Sequence, residues 1–221
     1  MRRRDYHQSL ADEMAALAEE VTELGIIAVD VFKTAAAMLF APDPGVAHAA
    51  MRLAEQGALC YQDVHQRAVA LLARWSPFGD ELRRVVDLQR TATECARIAE
   101  HGRRIAEQAL EIPSGAEEAL LPVDTRAAGI LVGLIRQVYV LLRGCLLLIT
   151  TRDRSMARRL VVEDAELERL YQQLKGLIES GIAARPRQAP PLRGLLLVLV
   201  ELEEIGNRVT TLCRDRLTPA G

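Results

Sequence analysis

Residues 10–38 read LADEMAALAEEVTELGIIAVDVFKTAAAM. Leu10, Met14, Leu17, Val21, Leu24, Ala28, Val31, Ala35 and Met38 follow one another at alternating steps of four and three. That is the 3.5-residue seam of left-handed helix packing, in which each apolar side chain returns to the same face every second turn. The spacing predicts a long bundle helix over about residues 4 to 40. Half of the 221 residues are apolar, 26% are charged and only 4% are aromatic, with Leu, Ala, Glu and Arg recurring throughout, a composition that favours packed helices over sheets.

Working outward, APDPG breaks the first helix, and Asp43 is placed to cap a second one. The second seam passes through Ala50, Leu53, Gly57, Cys60, Val64, Ala68 and Leu71 and points to an end near Arg74. In WSPFGDEL, Ser76 reads as an N-cap, Pro77 as the first helical residue, and Asp80 and Glu81 as acidic residues suited to the positive end of a helix dipole. A third helix is expected to run to about Leu110, followed by the linker EIPSG.

The remainder of the chain repeats this unit with a shift of 107 residues. Val21, Leu24, Ala28, Val31, Ala35 and Met38 land on Ala128, Leu131, Ile135, Val138, Leu142 and Cys145. Ala50 and Leu53 land on Ala157 and Leu160, and Ile98 lands on Ile205. The last helix starts at Pro190 and Pro191 and aligns Leu192, Leu195, Leu196, Leu199, Leu202, Gly206, Val209 and Cys213. The expected fold is all-α: six helices forming two tandem antiparallel three-helix bundles, residues 1–112 and 113–221, related by an internal repeat.

Residues 129–149, GILVGLIRQVYVLLRGCLLLI, reach membrane-spanning length, but Arg136 and Arg143 each cost roughly 2.5–3.5 kcal/mol near a bilayer centre. A helix apolar nearly all round needs cover from the other bundle or from a second subunit, and a homodimer is the expectation. The formal net charge of −2 gives no basic field for nucleic acid or an anionic membrane. Cys60, Cys95, Cys145 and Cys213 form no CxxC pair and read as free, buried thiols of a cytoplasmic protein. The basic MRRR start runs into DYHQSLADEMAAL, which lacks the uninterrupted apolar core of a signal peptide. No phosphate-binding Gly loop, nucleophile elbow or HExxH pattern is present, so no enzyme activity is expected.

The stretch ALLARWSPFGDELRRVV, with Leu71, Leu72, Ala73, Arg74, Pro77, Glu81, Leu82 and Arg83, resembles a pattern of the phosphate-uptake regulator (PhoU) family. ARIAE at 96–100 and EEIGN at 203–207 resemble the family's two E-R-I-G-D-like signatures and stand at the same shift of 107. The resemblance covers nearly the whole chain and implies two tandem three-helix bundles. It also implies i, i+4 acidic pairs on the second and third helices of each bundle, facing one groove and holding metal, often iron clusters. Such spacing puts both carboxylates on one helix face, and carboxylates suit hard cations.

This chain departs from that pattern at every pair: Tyr61 and His65, Ala96 and Glu100, Glu168 and Gln172, Glu203 and Asn207. The first bundle keeps at most His65 and Glu100, with Glu94 and His101 expected to face elsewhere. The second keeps Glu168 and Glu203, with Gln172 and Asn207 as neutral oxygen donors, a candidate site for one divalent ion although no cofactor is expected overall. The resemblance implies a cytoplasmic negative regulator of phosphate transport and homeostasis that contacts a phosphate-sensing histidine kinase and the ATPase of a phosphate ABC transporter. It would reach the membrane only through those partners. Arg83, Arg84 and Arg97, with Arg90, Arg103 and Arg104 on the same helix, are the candidate contacts to acidic partner surfaces. The alternatives are a metal-binding sensor of the same fold, or a diverged helical scaffold without a phosphate role.

Overall fold

All nine residues of the opening seam are at most 3% exposed in the computed structural model, which describes residues 3–112, 115–120, 123–151 and 153–217. They belong to α1 (Arg3–Met38). Asp43 caps α2 (Pro44–Trp75) as expected: its Oδ1 accepts from the Gly45 and Val46 amides at 2.6 and 3.1 Å. Those bonds satisfy two of the orphan donors at the helix start, and Pro44, which has no N–H to lose, takes the first position.

The next junction corrects the reading of Ser76. It closes α2 instead of opening the third helix, with φ 44° and ψ 52°, and its amide donates to the Leu72 carbonyl at 3.0 Å. A proline at 77 bars residue 76 from right-handed helix, so a left-handed cap is what ends α2. The third helix, α3 (Asp80–Leu110), starts after Gly79 at φ 60° with no side-chain cap. Asp80 and Glu81 lie in its first turn as anticipated.

A further short helix, α4 (Gly115–Leu120), occupies the linker and was not anticipated. It is followed by α5 (Ala127–Thr151), α6 (Arg154–Ala184, capped by Asp153), a 3-10 turn over Pro186–Gln188, and α7 (Ala189–Leu217), with Pro190 and Pro191 in its first turn. Helices α1, α2 and α3 pack on one another, as do α5, α6 and α7. The two sets join through α3 against α7 and α1 against α5, which leaves α2 and α6 on the outside.

One apolar cluster runs from the C-terminal half of α1 through α3 into α5, α6 and α7, including Phe32, Ile98, Ile105, Leu134, Leu174, Leu195 and Leu202. A second lies at the far end of the first bundle around Leu17, Leu71, Trp75, Val85 and Leu88, reaching Ile149 of α5. Full burial of each such side chain is worth about 1.5–3 kcal/mol. Gly102 brings α3 close to α1, where a Cβ would lie 2.8 Å from Val31 Cγ1 and 3.3 Å from the Phe32 amide nitrogen.

The repeat is visible as a structural exchange. The shift of 107 carries Glu94 to Glu201 and His101 to Arg208. In the fold His101 meets Glu201 while Arg208 faces Glu94, as a pseudo-twofold axis between α3 and α7 requires. Helix α5 is long and apolar enough to span a membrane by length and composition, yet it packs against α1, α6 and α7. Its outward residues include Val132, Val140 and Leu147, each about half exposed, beside the exposed Arg136 and Arg143.

Candidate functional site

Each bundle has a groove between its second and third helices, where the sequence placed the candidate ligands. In the first, α2 contributes Tyr61 and His65, which are one turn apart and stack obliquely with ring centroids 6.3 Å apart. The Tyr61 hydroxyl meets Thr93 Oγ1 at 3.4 Å, and the Gln89 amide donates to His65 Nδ1 at 3.0 Å. Glu100, the remaining carboxylate, accepts from Arg103 at 2.8 Å and from Arg104 at 3.2 Å. The Arg103 hydrogen bonds hold its carboxyl below the ordinary value. Its lone pairs are thus committed to guanidinium groups, and Ala96 supplies no oxygen.

The second groove does bring Glu168 of α6 and Glu203 of α7 to the same side. Gln172 donates to Glu168 Oε1 at 2.8 Å, and the Tyr171 hydroxyl is directed at the Glu203 carboxylate. Burial raises the Glu203 carboxyl above its ordinary value, and the charges of Glu168 and Glu204 add to that. Burial likewise raises Asp164, one turn before Glu168, and burial with the Glu203 contact pushes Tyr171 to about 12. Asn207 is exposed on α7. Among the described residues no three His, Cys, Asp or Glu side chains gather closely enough to hold a metal ion, so the residues present do not fit a multinuclear cluster.

Glu94 and His101 face the seam between the bundles. His101 Nδ1 lies 2.6 Å from Glu201 Oε2, and Arg104 approaches the other Glu201 oxygen at 3.8 Å. Glu94 takes a hydrogen bond from Arg97 at 2.8 Å and has Arg208 3.7 Å away, while Arg208 also bonds Glu204 at 2.8 Å. Arg216 and Asp87 extend the series at 3.6 Å. Pairing is what makes these half-buried charges tolerable between two packed helices. Sequence reasoning missed this seam. Only the matched positions of Glu94 and Glu201 under the shift pointed to it.

The candidate arginines do not form one patch. Arg83, Arg90, Arg97 and Arg104 are exposed on α3 at seven-residue spacing, and the last two reach the edge of the seam with α7. Arg84 turns the other way, towards α1 and α5, where it lines a surface groove. Arg97 is half exposed while held by Glu94, and Arg83 is 3.9 Å from Asp80. Of the basic cluster beyond α5, Arg152 lies outside the described residues. Arg154 donates to the Leu217 carbonyl at 2.8 Å, and Arg158 and Arg159 are exposed. Cys95, Cys145 and Cys213 are buried, and burial pushes Cys95 up to about 12 and Cys213 to about 11. Cys60 is only half-buried, contrary to expectation, because it lies on the outer helix α2.

These features define an all-α protein built from two tandem three-helix bundles, with diversified grooves and a charged seam. Residues 21–109 match the model of the PhoU domain. The chain is 21% identical over 200 residues to a phosphate-specific transport system accessory protein PhoU homologue of Pseudomonas putida, spanning 90% of this chain and 76% of that one. The fold matches the crystal structure of PhoU from Pseudomonas aeruginosa with TM-score 0.75 at 18% identity, over 98% of this chain and 97% of the other. It matches the phosphate transport system regulatory protein PhoU of Streptococcus pneumoniae with TM-score 0.80, also at 18% identity, over 94% and 95%. Residues 21–109 thus resemble the PhoU domain, and the chain as a whole has the fold of the solved PhoU proteins.

Proposed function

We propose that this chain is a regulator of phosphate transport and phosphate-starvation signalling that works in the cytoplasm through protein contacts. The relatives it resembles are named as an accessory protein and a regulatory protein of phosphate transport systems. The observation that carries the reading is a match to the helical frame of PhoU structures over nearly the whole chain, while no pair at 61/65, 96/100, 168/172 or 203/207 holds two carboxylates. What such a frame offers is long, rigid helix faces. The exposed stripe of Arg83, Arg90, Arg97 and Arg104 supplies cations for an acidic partner surface, which favours encounter and register.

The partners in this reading are the cytoplasmic part of a phosphate-sensing histidine kinase and the ATPase of a phosphate ABC transporter. The chain reaches the membrane only through them, and it acts as a homodimer in which exposed Val132, Val140 and Leu147 of α5 find cover. The test is titration of the purified chain against both proteins, with an unrelated ATPase as control. Saturable binding to either, weakened by Arg83→Glu with Arg97→Glu, is the expected result. Absence of binding to both would leave the fold without this role.

A second reading gives Glu168 and Glu203 one divalent ion. It is favoured by their shared groove and by the upward push that burial and the Glu168 and Glu204 charges exert on Glu203. It requires Gln172 to turn from Glu168 towards the ion.

A further inference from the structure

The two bundles differ at one matched place in a way that assigns a docking site. Helix α5 ends at Thr151, and beyond that end the furrow between α1 and α3 is open. It has a volume of about 620 Å³, with Ala18, Thr22 and Ile26 of α1, Leu88 of α3 and Ile149 of α5 along it. Glu19 and Glu23 stand on the α1 rim, and the Nε of Arg84 is buried there without a hydrogen-bond partner among the described residues.

The pseudo-twofold axis puts the equivalent furrow between α5 and α7, beyond the end of α1. There it is filled. Helix α4 packs against α5 and α7, and the Ala116 amide donates to the Leu39 carbonyl at the end of α1 at 2.7 Å. Ala116 and Leu120 are fully buried and Ala119 nearly so. The shift of 107 carries Leu88 onto Leu195, in the same core cluster as these α4 residues. The molecule thus displays what such a furrow accepts: a short helix that turns small residues and a leucine inward at i, i+3 and i+4.

Charge sets the difference between the two occupants. The filling helix reads GAEEAL and is acidic, and the sequence position equivalent to Glu19 on its side is Arg126, which pairs with Asp124. On the open side the α1 rim carries two carboxylates, Glu19 and Glu23, against one cation, Arg84, from α3. We propose that the furrow between α1 and α3 is a docking site for a short basic amphipathic helix of a partner protein, seated as α4 is seated in the other bundle. This deepens the contact reading above by naming the kind of segment a partner must present.

The test uses the full chain and two labelled, lactam-bridged helical peptides, so that helix formation does not limit binding. One carries the sequence of Gly115–Leu120; the other carries it with Glu117→Lys and Glu118→Lys. Fluorescence anisotropy should show saturable binding of the basic peptide, about tenfold weaker with the chain variant Ile26→Asn, which removes apolar contact without adding charge, a change of about 1.4 kcal/mol. Ile26 is 48% exposed, so this variant keeps its fold. The chain variant Glu19→Lys with Glu23→Lys should reverse the preference to the acidic peptide. Failure of both peptides to bind, or binding indifferent to these variants, would overturn the proposal. So would a sedimentation result in which Ile26→Asn dissociates a dimer, because a second copy would then own the furrow. None of these outcomes depends on the kinase or the ATPase, so the regulatory reading stands or falls separately.

Discussion

The first and second bundles share helix order and seam register, yet their surfaces differ at matched positions. The stripe Arg83, Arg90, Arg97 and Arg104 on α3 corresponds to Pro190, Leu197, Glu204 and Thr211 on α7. The furrow beyond α5 is open, whereas its counterpart beyond α1 holds α4. At the seam, the first bundle offers His101 to a glutamate where the second offers Arg208. The comparison teaches that the buried seams fix the frame and the exposed faces are free to specialise. Packing tolerates little change in volume inside, while surface substitutions away from special features cost within about 0.5 kcal/mol.

The largest way to break the symmetry is at α4. Leu120→Ala removes a fully buried side chain from the filled furrow and should cost about 2–5 kcal/mol. Ile26→Ala, beside the open furrow, should change stability by less than about 0.5 kcal/mol. Urea unfolding midpoints of the two variants measure the contrast. Equal losses would mean that the furrows are not inequivalent.

A smaller effect is expected at the seam. His101→Ala leaves Glu201, whose side chain is 16% exposed, without its 2.6 Å partner and should cost about 1–3 kcal/mol. Glu201→Gln, which keeps a hydrogen-bonding oxygen, should cost less. A double-mutant cycle over both positions should give a coupling of about 0.5–3 kcal/mol. A coupling of zero would show that the two bundles are joined by apolar contact alone.

The smallest effect sharpens the comparison of grooves. Burial raises the Glu203 carboxyl, so the folded chain holds that proton more tightly than the unfolded chain does. The unfavourable charge is fully present above the folded value and absent once pH falls below the ordinary carboxyl value of 4.5. Glu203→Gln should therefore stabilise at pH 7, by less than about 1 kcal/mol in this partly solvated groove, with the gain fading as pH drops. Glu100→Gln in the first groove should do the opposite, because the Arg103 hydrogen bonds hold Glu100 down. Thermal melts at pH 4 and pH 7 distinguish the two.

Much of this was legible in the chain because one physical signal dominates it. Residues at 3.5-residue spacing must share a buried face, so the long helices and the second bundle's register followed from Val21, Leu24, Met38 and their counterparts 107 residues on. Asp43 was readable as a cap because its own side chain does the capping. Ser76 was not, since a serine before a proline fits the end of one helix as well as the start of the next, and backbone φ decided it. Helix α4 is six residues long, too short to declare a period, and is held by tertiary packing. The His101 and Glu201 pair joins positions 100 residues apart, a distance over which only the repeat carries information. At the grooves the lost carboxylates were plain in the sequence, while the partners the remaining side chains took up needed coordinates.

The claim on which the account rests is that this frame works through its surfaces without a resident metal. Chain purified without a His tag or chelator, and analysed by inductively coupled plasma mass spectrometry, tests it. No near-stoichiometric metal, and no difference on Glu168→Ala with Glu203→Ala, is the expected result. Near-stoichiometric metal that this double variant removes would contradict it and make the second bundle's groove a working metal site.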